Sequence, residues 1–197
     1  MIRSLCIGLA LVLVVAACQT DRSSVASRAG TTTARTGTSV AAQSANAMFP
    51  DLPQAIQPLP QGACLSDDEI RADQFILLKT QMMLVGLTCN GAYSDPNVFG
   101  HYQDFISTHA GTIRSAQQTM ASLLARYRGG NPNRLFDTYA TSYSNNESQV
   151  MNQVSAGRYC QLIRDRFYRA SGFSAAEMQS FLGQAVQQNR AHYQSCG

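Results

Sequence analysis

Six cysteines and three histidines give this 197-residue chain its widest chemical repertoire. The cysteines are Cys6, Cys18, Cys64, Cys89, Cys160 and Cys196. No CxxC or paired Cys–His spacing occurs, so a zinc site, and a metal site in general, is not expected. The histidines are His101, His109 and His192. His101 precedes Asp104 by one helical turn, a distance at which the two can share a proton; a solvated surface pair has the same spacing. His109 falls on an apolar stripe, where a satisfied buried histidine is the simpler reading. Asn145, Asn146 and Glu147 interrupt another apolar stripe. A carboxylate facing a core needs partners and tends towards a raised pKa. His109, Asn146 and Glu147 are therefore the candidates for a polar core or for ligand contacts, with a solvated helix face as the plainer reading of the Asn–Glu run. Neither a Gly-rich phosphate loop nor an HExxH or GxSxG pattern is present, so no catalytic residue is assigned.

Charge narrows the partners. The formal net charge is +3, too mild for a nucleic-acid binder. Arginines gather at Arg126, Arg128 and Arg134, and again at Arg158, Arg164, Arg166 and Arg169. They are expected near helix ends and on exposed faces, where they complement helix dipoles and aid solubility. The Met82–Met83 pair reads as core.

The amino terminus carries an address. Arg3 precedes an apolar run from Leu5 to Val15, too short to cross the ~30 Å hydrocarbon core as a mature helix. Val15-Ala16-Ala17-Cys18 follows: an aliphatic residue, two small residues and a cysteine. This resembles the lipobox of bacterial lipoproteins. The resemblance implies that residues 1–17 are a signal peptide and that Cys18 carries a diacylglyceryl thioether, which is the only non-protein group expected. It implies a membrane as partner. Gln19, where an aspartate would favour inner-membrane retention, points to the outer membrane, facing the periplasm.

Residues 18–63 read as a disordered tether, rich in Ser, Thr and Ala and then in Pro. Its first part has too little apolar mass to offset chain entropy. Pro50, Pro53, Pro58 and Pro60 then favour extended backbone. A flexible chain of this length reaches ~35–40 Å on average.

Residues 64–197 must position whatever chemistry exists, and they read as one all-α domain. Ser66 and Glu69 form a capping box, and Phe75–Leu87 is apolar nearly all round. Asp95-Pro96 resembles a cap followed by proline at the first helical position. Phe99, Tyr102, Ile106, His109, Ile113, Met120, Leu124 and Tyr127 then form one stripe, ending before Gly129-Gly130. Asn131-Pro132 opens a third helix, which can run through Gly157 to Ala170 or break near that glycine. Ser174 and Glu177 open the last. Four helices with short turns predict an up-down-up-down bundle.

The cysteines test that topology. Export implies oxidising conditions, and with Cys6 and Cys18 accounted for, four cysteines allow three pairings. Helix rise puts Cys64 and Cys89 ~35 Å apart, at opposite ends of the first helix, so those two are not partners. An unbroken third helix carries Cys160 level with Cys89, and the last helix returns Cys196 to Cys64. Two disulfides, Cys89–Cys160 and Cys64–Cys196, then fit together. A reversal at Gly157 would remove the basis for that pairing.

Phe75–Ala170, with "LLKTQMMLVGLTC", "YQDFI", "FDTYATSYSN" and Cys160, also resembles small exported all-helical proteins of alphaproteobacteria without assigned function. That resemblance implies a disulfide-linked helical domain and no activity. The expected role is a non-catalytic lipoprotein that binds or scaffolds another envelope component, with an envelope protein as partner. One alternative is a small-ligand-binding or enzymatic domain with a polar pocket between helices. A pilotin-like secretion accessory is the other.

Overall fold

The computed structural model describes residues 52–53 and 57–196. Residues 1–51, with the lipobox, Cys18 and most of the tether, lie outside that range. The described chain is all-helical apart from one two-residue pairing. Its helices are α1 (Asp67–Thr88), α2 (Asn90–Tyr93), α3 (Val98–Thr108), α4 (Ala110–Arg128), α5 (Pro132–Val154), α6 (Ala156–Ser171) and α7 (Ala175–Asn189). A 3₁₀ turn follows at Arg190–His192.

The helix starts follow from local chemistry. Ser66 and Glu69 cap each other's free amides at α1, and Ser174 and Glu177 do so at α7. The Asn131 side chain accepts from the Arg134 amide, with Pro132 opening α5. Between α4 and α5 the chain needs two consecutive residues at positive φ. Gly129 at 65° and Gly130 at 94° supply them without a Cβ clash. Asp95 behaves differently from expectation. Its side chain accepts from the Asn97 amide, 2.8 Å away, and Asn97 then leads into α3. The Asp-Pro pair thus makes a turn before the helix instead of capping it.

α1 is the axis of the domain. Fourteen of its 22 residues are buried, and it packs against all six other helices. That explains why its sequence is apolar nearly all round. The core around it is aromatic and aliphatic, with Phe75, Phe105, Phe167, Tyr139, Tyr143 and Met120 closed to solvent. Met82 belongs to this core. No described helix is long and apolar enough to cross a membrane.

Two of the four expected rods are broken. The second bends at His109, giving α3 and α4. The third breaks at Ser155, two residues before the glycine suspected from the sequence. Ser155 takes φ 71° and ψ 146°, a conformation normally left to glycine. Its hydroxyl accepts from the Arg158 amide and so starts α6. The break is sharp. Tyr159 donates to Glu147 Oε1 at 2.7 Å, although twelve residues of straight helix would separate them by about 18 Å. α6 therefore folds back over the end of α5.

Both disulfides form as paired above. Cys64–Cys196 has Cα atoms 4.8 Å apart, and Cys89–Cys160 has them 5.6 Å apart. The second pairing survives the broken helix because Cys160 lies just after the break. It stays at the end of α1 whichever way α6 continues. Around the first bridge, Cys64–Leu65 (β1) pairs in parallel with Gln194–Ser195 (β2), Cys64 opposite Gln194.

The last stretch of the expected tether is part of the domain. Leu52 and Leu59 pack against the core, Gln57 donates to the Tyr193 hydroxyl at 3.0 Å, and Arg128 donates to the Pro58 carbonyl. The boundary read at Cys64 thus lies at least as far back as Gln57. Leucines between prolines give this segment the apolar mass that the Ser/Thr-rich part lacks.

Candidate functional site

A ladder of buried polar groups runs between α1 and α5. Tyr139, Tyr143 and Glu147 recur every four residues and share one face of α5. Asp73 and Gln81, eight apart, share the facing side of α1. Tyr139 donates to Asp73 Oδ1, and Gln81 Nε2 donates to Glu147 Oε1 at 2.8 Å. Each rung thus joins one carboxylate to the opposite helix.

The lower rung gathers more of the chain. Tyr193 donates to Asp73 Oδ2, while its own oxygen accepts from Gln74 at 2.6 Å and from Gln57. Asn189 in turn donates to Gln74 Oε1. One fully buried carboxylate therefore ties α1 to α5, to the carboxy-terminal segment and to the proline-rich segment. Burial pushes Asp73 up to about 6, against the tyrosine hydrogen bonds that pull it down. Burial also pushes the hydroxyls of Tyr139, Tyr143 and Tyr193 well above their usual range, and the nearby Asp73 charge adds to this.

At the upper rung, burial raises Glu147, partly offset by hydrogen bonds from Tyr159 and Gln81 and by the Arg166 charge. Arg166 corrects an expectation: it is buried rather than exposed. Burial lowers its guanidinium to about 10, with Glu147 pulling the other way, and its ring-facing side lies 5.3 Å from the Phe181 centroid. Arg166 Nε and Gln81 Oε1 have no hydrogen-bond partner. Both residues border a crevice between α1 and α6 that is too tight to admit a water.

The other candidates lie elsewhere. His109 is buried at the α3–α4 bend, its ring 5.0 Å from Phe105. Burial holds it below the usual histidine range, opposed by a contact with the Phe173 backbone, and its Nε2 is unpartnered. Asn146 is half-buried beside Glu147, and Asn145 is exposed. His101 meets Asp95, at 3.2 Å, instead of the expected Asp104. Tyr168 donates to the same Asp95 oxygen at 2.8 Å. The turn before α3 swings Asp95 back over that helix, which spacing along a single helix does not reveal. Among the described residues, no group of three or more His, Cys, Asp or Glu side chains is placed to hold a metal.

Asp73 is the residue that sequence reasoning missed. It precedes the apolar Phe75–Leu87 stretch on the first helix, where no neighbour along the chain marks it. The signal that would have found it is the shared period: polar residues at 73 and 81 on one helix, and Tyr-Tyr-Glu at 139, 143 and 147 on another.

A cleft of about 540 Å³ sits between α1, α4 and α7, and one of about 410 Å³ sits beside the proline-rich segment and Tyr193. Leu87 and Phe99 are exposed apolar side chains, at 62% and 43%. Compared with known proteins, the chain matches no family model, no curated protein and no solved structure.

Proposed function

We propose that this protein is a non-catalytic lipoprotein of the cell envelope. Lipid on Cys18 anchors it to the outer membrane, facing the periplasm, and the helical domain binds or scaffolds another envelope component. The observation that carries the binding reading is how the buried acids are used. The oxygens of Asp73 and the bonded oxygen of Glu147 are engaged by tyrosines and glutamines that hold helices together. Two surface clefts have the space to take a partner. A domain that commits its buried acids to holding helices together and carries clefts on its surface is suited to recognition. The anchor rests on the Val15-Ala16-Ala17-Cys18 pattern, and export is consistent with the two disulfides. We also keep the up-down-up-down course as our reading of the topology, taking α3 with α4 and α5 with α6 as bent single segments.

The test is crosslinking and recovery of the full-length protein from mildly solubilised envelopes, beside a Cys18→Ser variant. The expected result has two parts: lipid labelling and membrane fractionation that depend on Cys18, and a reproducible envelope partner. Lipid labelling unchanged in the variant would sink the anchor. Absence of any partner above background would sink the scaffold role.

A further inference from the structure

We propose that the cleft between α1, α4 and α7 is a binding site for a neutral saccharide chain. This names the chemistry of a partner, so it rests on the binding reading above, though not on the lipid anchor.

The argument starts from what lines the cleft. Thr112, Ser115 and Thr119 recur on one face of α4, about 4.5 and 6 Å apart along the axis. Gln179 of α7 stands opposite, and Asp68 and Arg71 of α1 close the rim. Phe75, Ala72, Ala116 and Leu182 form an apolar floor. The volume, about 540 Å³, lies within the ~300–1,000 Å³ of ordinary ligand sites.

Charge excludes two classes. One carboxylate and one guanidinium offset each other at the rim, only 3.9 Å apart, so neither an anion nor a cation is favoured. A purely apolar ligand would strip water from six polar side chains without replacing their hydrogen bonds. What remains is a neutral ligand dense in hydrogen-bonding groups.

A sugar hydroxyl both donates and accepts. The cleft offers hydroxyls that do both, an amide that does both, one strict acceptor and one strict donor. An apolar floor suits the C–H face of a sugar ring. Four of the polar lining groups are also free to act. On α5, Thr138, Ser144 and Ser148 donate to the carbonyls four residues before them. Among the described residues, Thr112, Ser115, Thr119 and Gln179 make no such commitment to the protein. They project from α4 and α7, both packed on α1, so little ordering is needed on binding. Every lining residue lies on a helix, so an extended peptide would find no strand edge here to pair with, which favours the saccharide.

The experiment is calorimetric titration of the full-length protein, in detergent, with chitotetraose, cellotetraose and maltotetraose. The same titrations are run on Ser115→Leu and Gln179→Ala. Both residues are exposed, and unchanged thermal melts would show that the variants fold. The expected result is saturable binding of at least one oligosaccharide, weakened tenfold or more in both variants. No binding of any of the three at millimolar concentration would overturn the proposal, as would binding that both variants retain. Capture of members of an immobilised random-peptide library, lost in both variants and without saccharide binding, would replace it with a peptide groove. A crosslinked envelope protein found while all saccharides fail would leave the scaffold reading standing and remove this site.

Discussion

Replacing Asp73 by asparagine should make the domain more stable at neutral pH, and the gain should vanish in mild acid. The carboxyl is fully buried, and its pKa is raised from 3.8 to about 6. A folded-state value above the unfolded one means that the folded state holds its proton more tightly. The contribution of Asp73 to stability is therefore greatest below about pH 4 and is lost as pH rises through 6. The full loss is about 3 kcal/mol, from 1.36 kcal/mol for each pH unit between the two values. Between pH 7.5 and pH 4.5 about 2 kcal/mol of it is recovered. Asparagine cannot ionise, so it avoids that loss. It gives up part of the hydrogen bonding to Tyr139 and Tyr193, on the order of 1–2 kcal/mol. The expected balance is Asp73→Asn ahead by about 1–2 kcal/mol at pH 7.5 and level or behind at pH 4.5. The assay is urea denaturation of both proteins across this range, followed by circular dichroism and tyrosine fluorescence. His109 and Glu147 titrate in both proteins and cancel in the difference. A stability difference that stays constant within about 0.5 kcal/mol over those three pH units would refute the account of Asp73 as a buried acid.

Further outcomes follow from other parts of the fold. Ser155→Gly should raise stability by about 1 kcal/mol, because glycine relieves the positive φ and gives up only a few tenths as a cap; Ser155→Ala should lower it by a similar amount, and thermal melts of the pair check the sign. Glu147→Ala should cost about 3–5 kcal/mol by stranding Tyr159, Gln81 and the Arg166 charge, whereas Glu147→Gln should be much milder; chemical denaturation separates them. Low concentrations of dithiothreitol should open Cys64–Cys196 first, since Cys196 is exposed while Cys89 and Cys160 are buried, and mass mapping of alkylated peptides should show that order. Replacing Cys89 and Cys160 together by serine removes a cross-link over 71 positions and should cost about 4 kcal/mol on the chain-entropy scale, read from melts under non-reducing conditions.

The parts of this structure that could be read from sequence are those set by neighbours along the chain. Ser66 with Glu69, Ser174 with Glu177, and Asn131 with Pro132 each satisfy a helix end within one turn, so the motif contains its own cause. Strict bridging geometry and constant helix rise excluded a Cys64–Cys89 bridge, whereas the Cys89–Cys160 pairing was reached from an unbroken third helix that the break at Ser155 removes. The failures have the opposite character. Ser155 adopts a backbone normally left to glycine because its hydroxyl caps α6, while Gly157 lies inside that helix. Asp95 finds His101 and Tyr168 only once the turn before α3 has formed. Asp73 carries no local signal, since its partners lie 66 and 120 positions away. Of the three candidate residues, Glu147 proved to be the junction of α1, α5 and α6, and His109 the inner face of a bend.

The bridge between Cys64 and Cys196 has a consequence for how the molecule would survive damage. With it closed, the backbone from Cys64 to Cys196 is a covalent ring. A protease that cuts the exposed Gly129-Gly130 turn opens the ring without releasing either fragment. The nicked protein would migrate intact on a non-reducing gel and fall into two pieces only when reduced. Both pieces of a clipped domain would remain joined, held in register by α1 and by the second bridge. A worn copy would thus keep its fold after its chain has been broken.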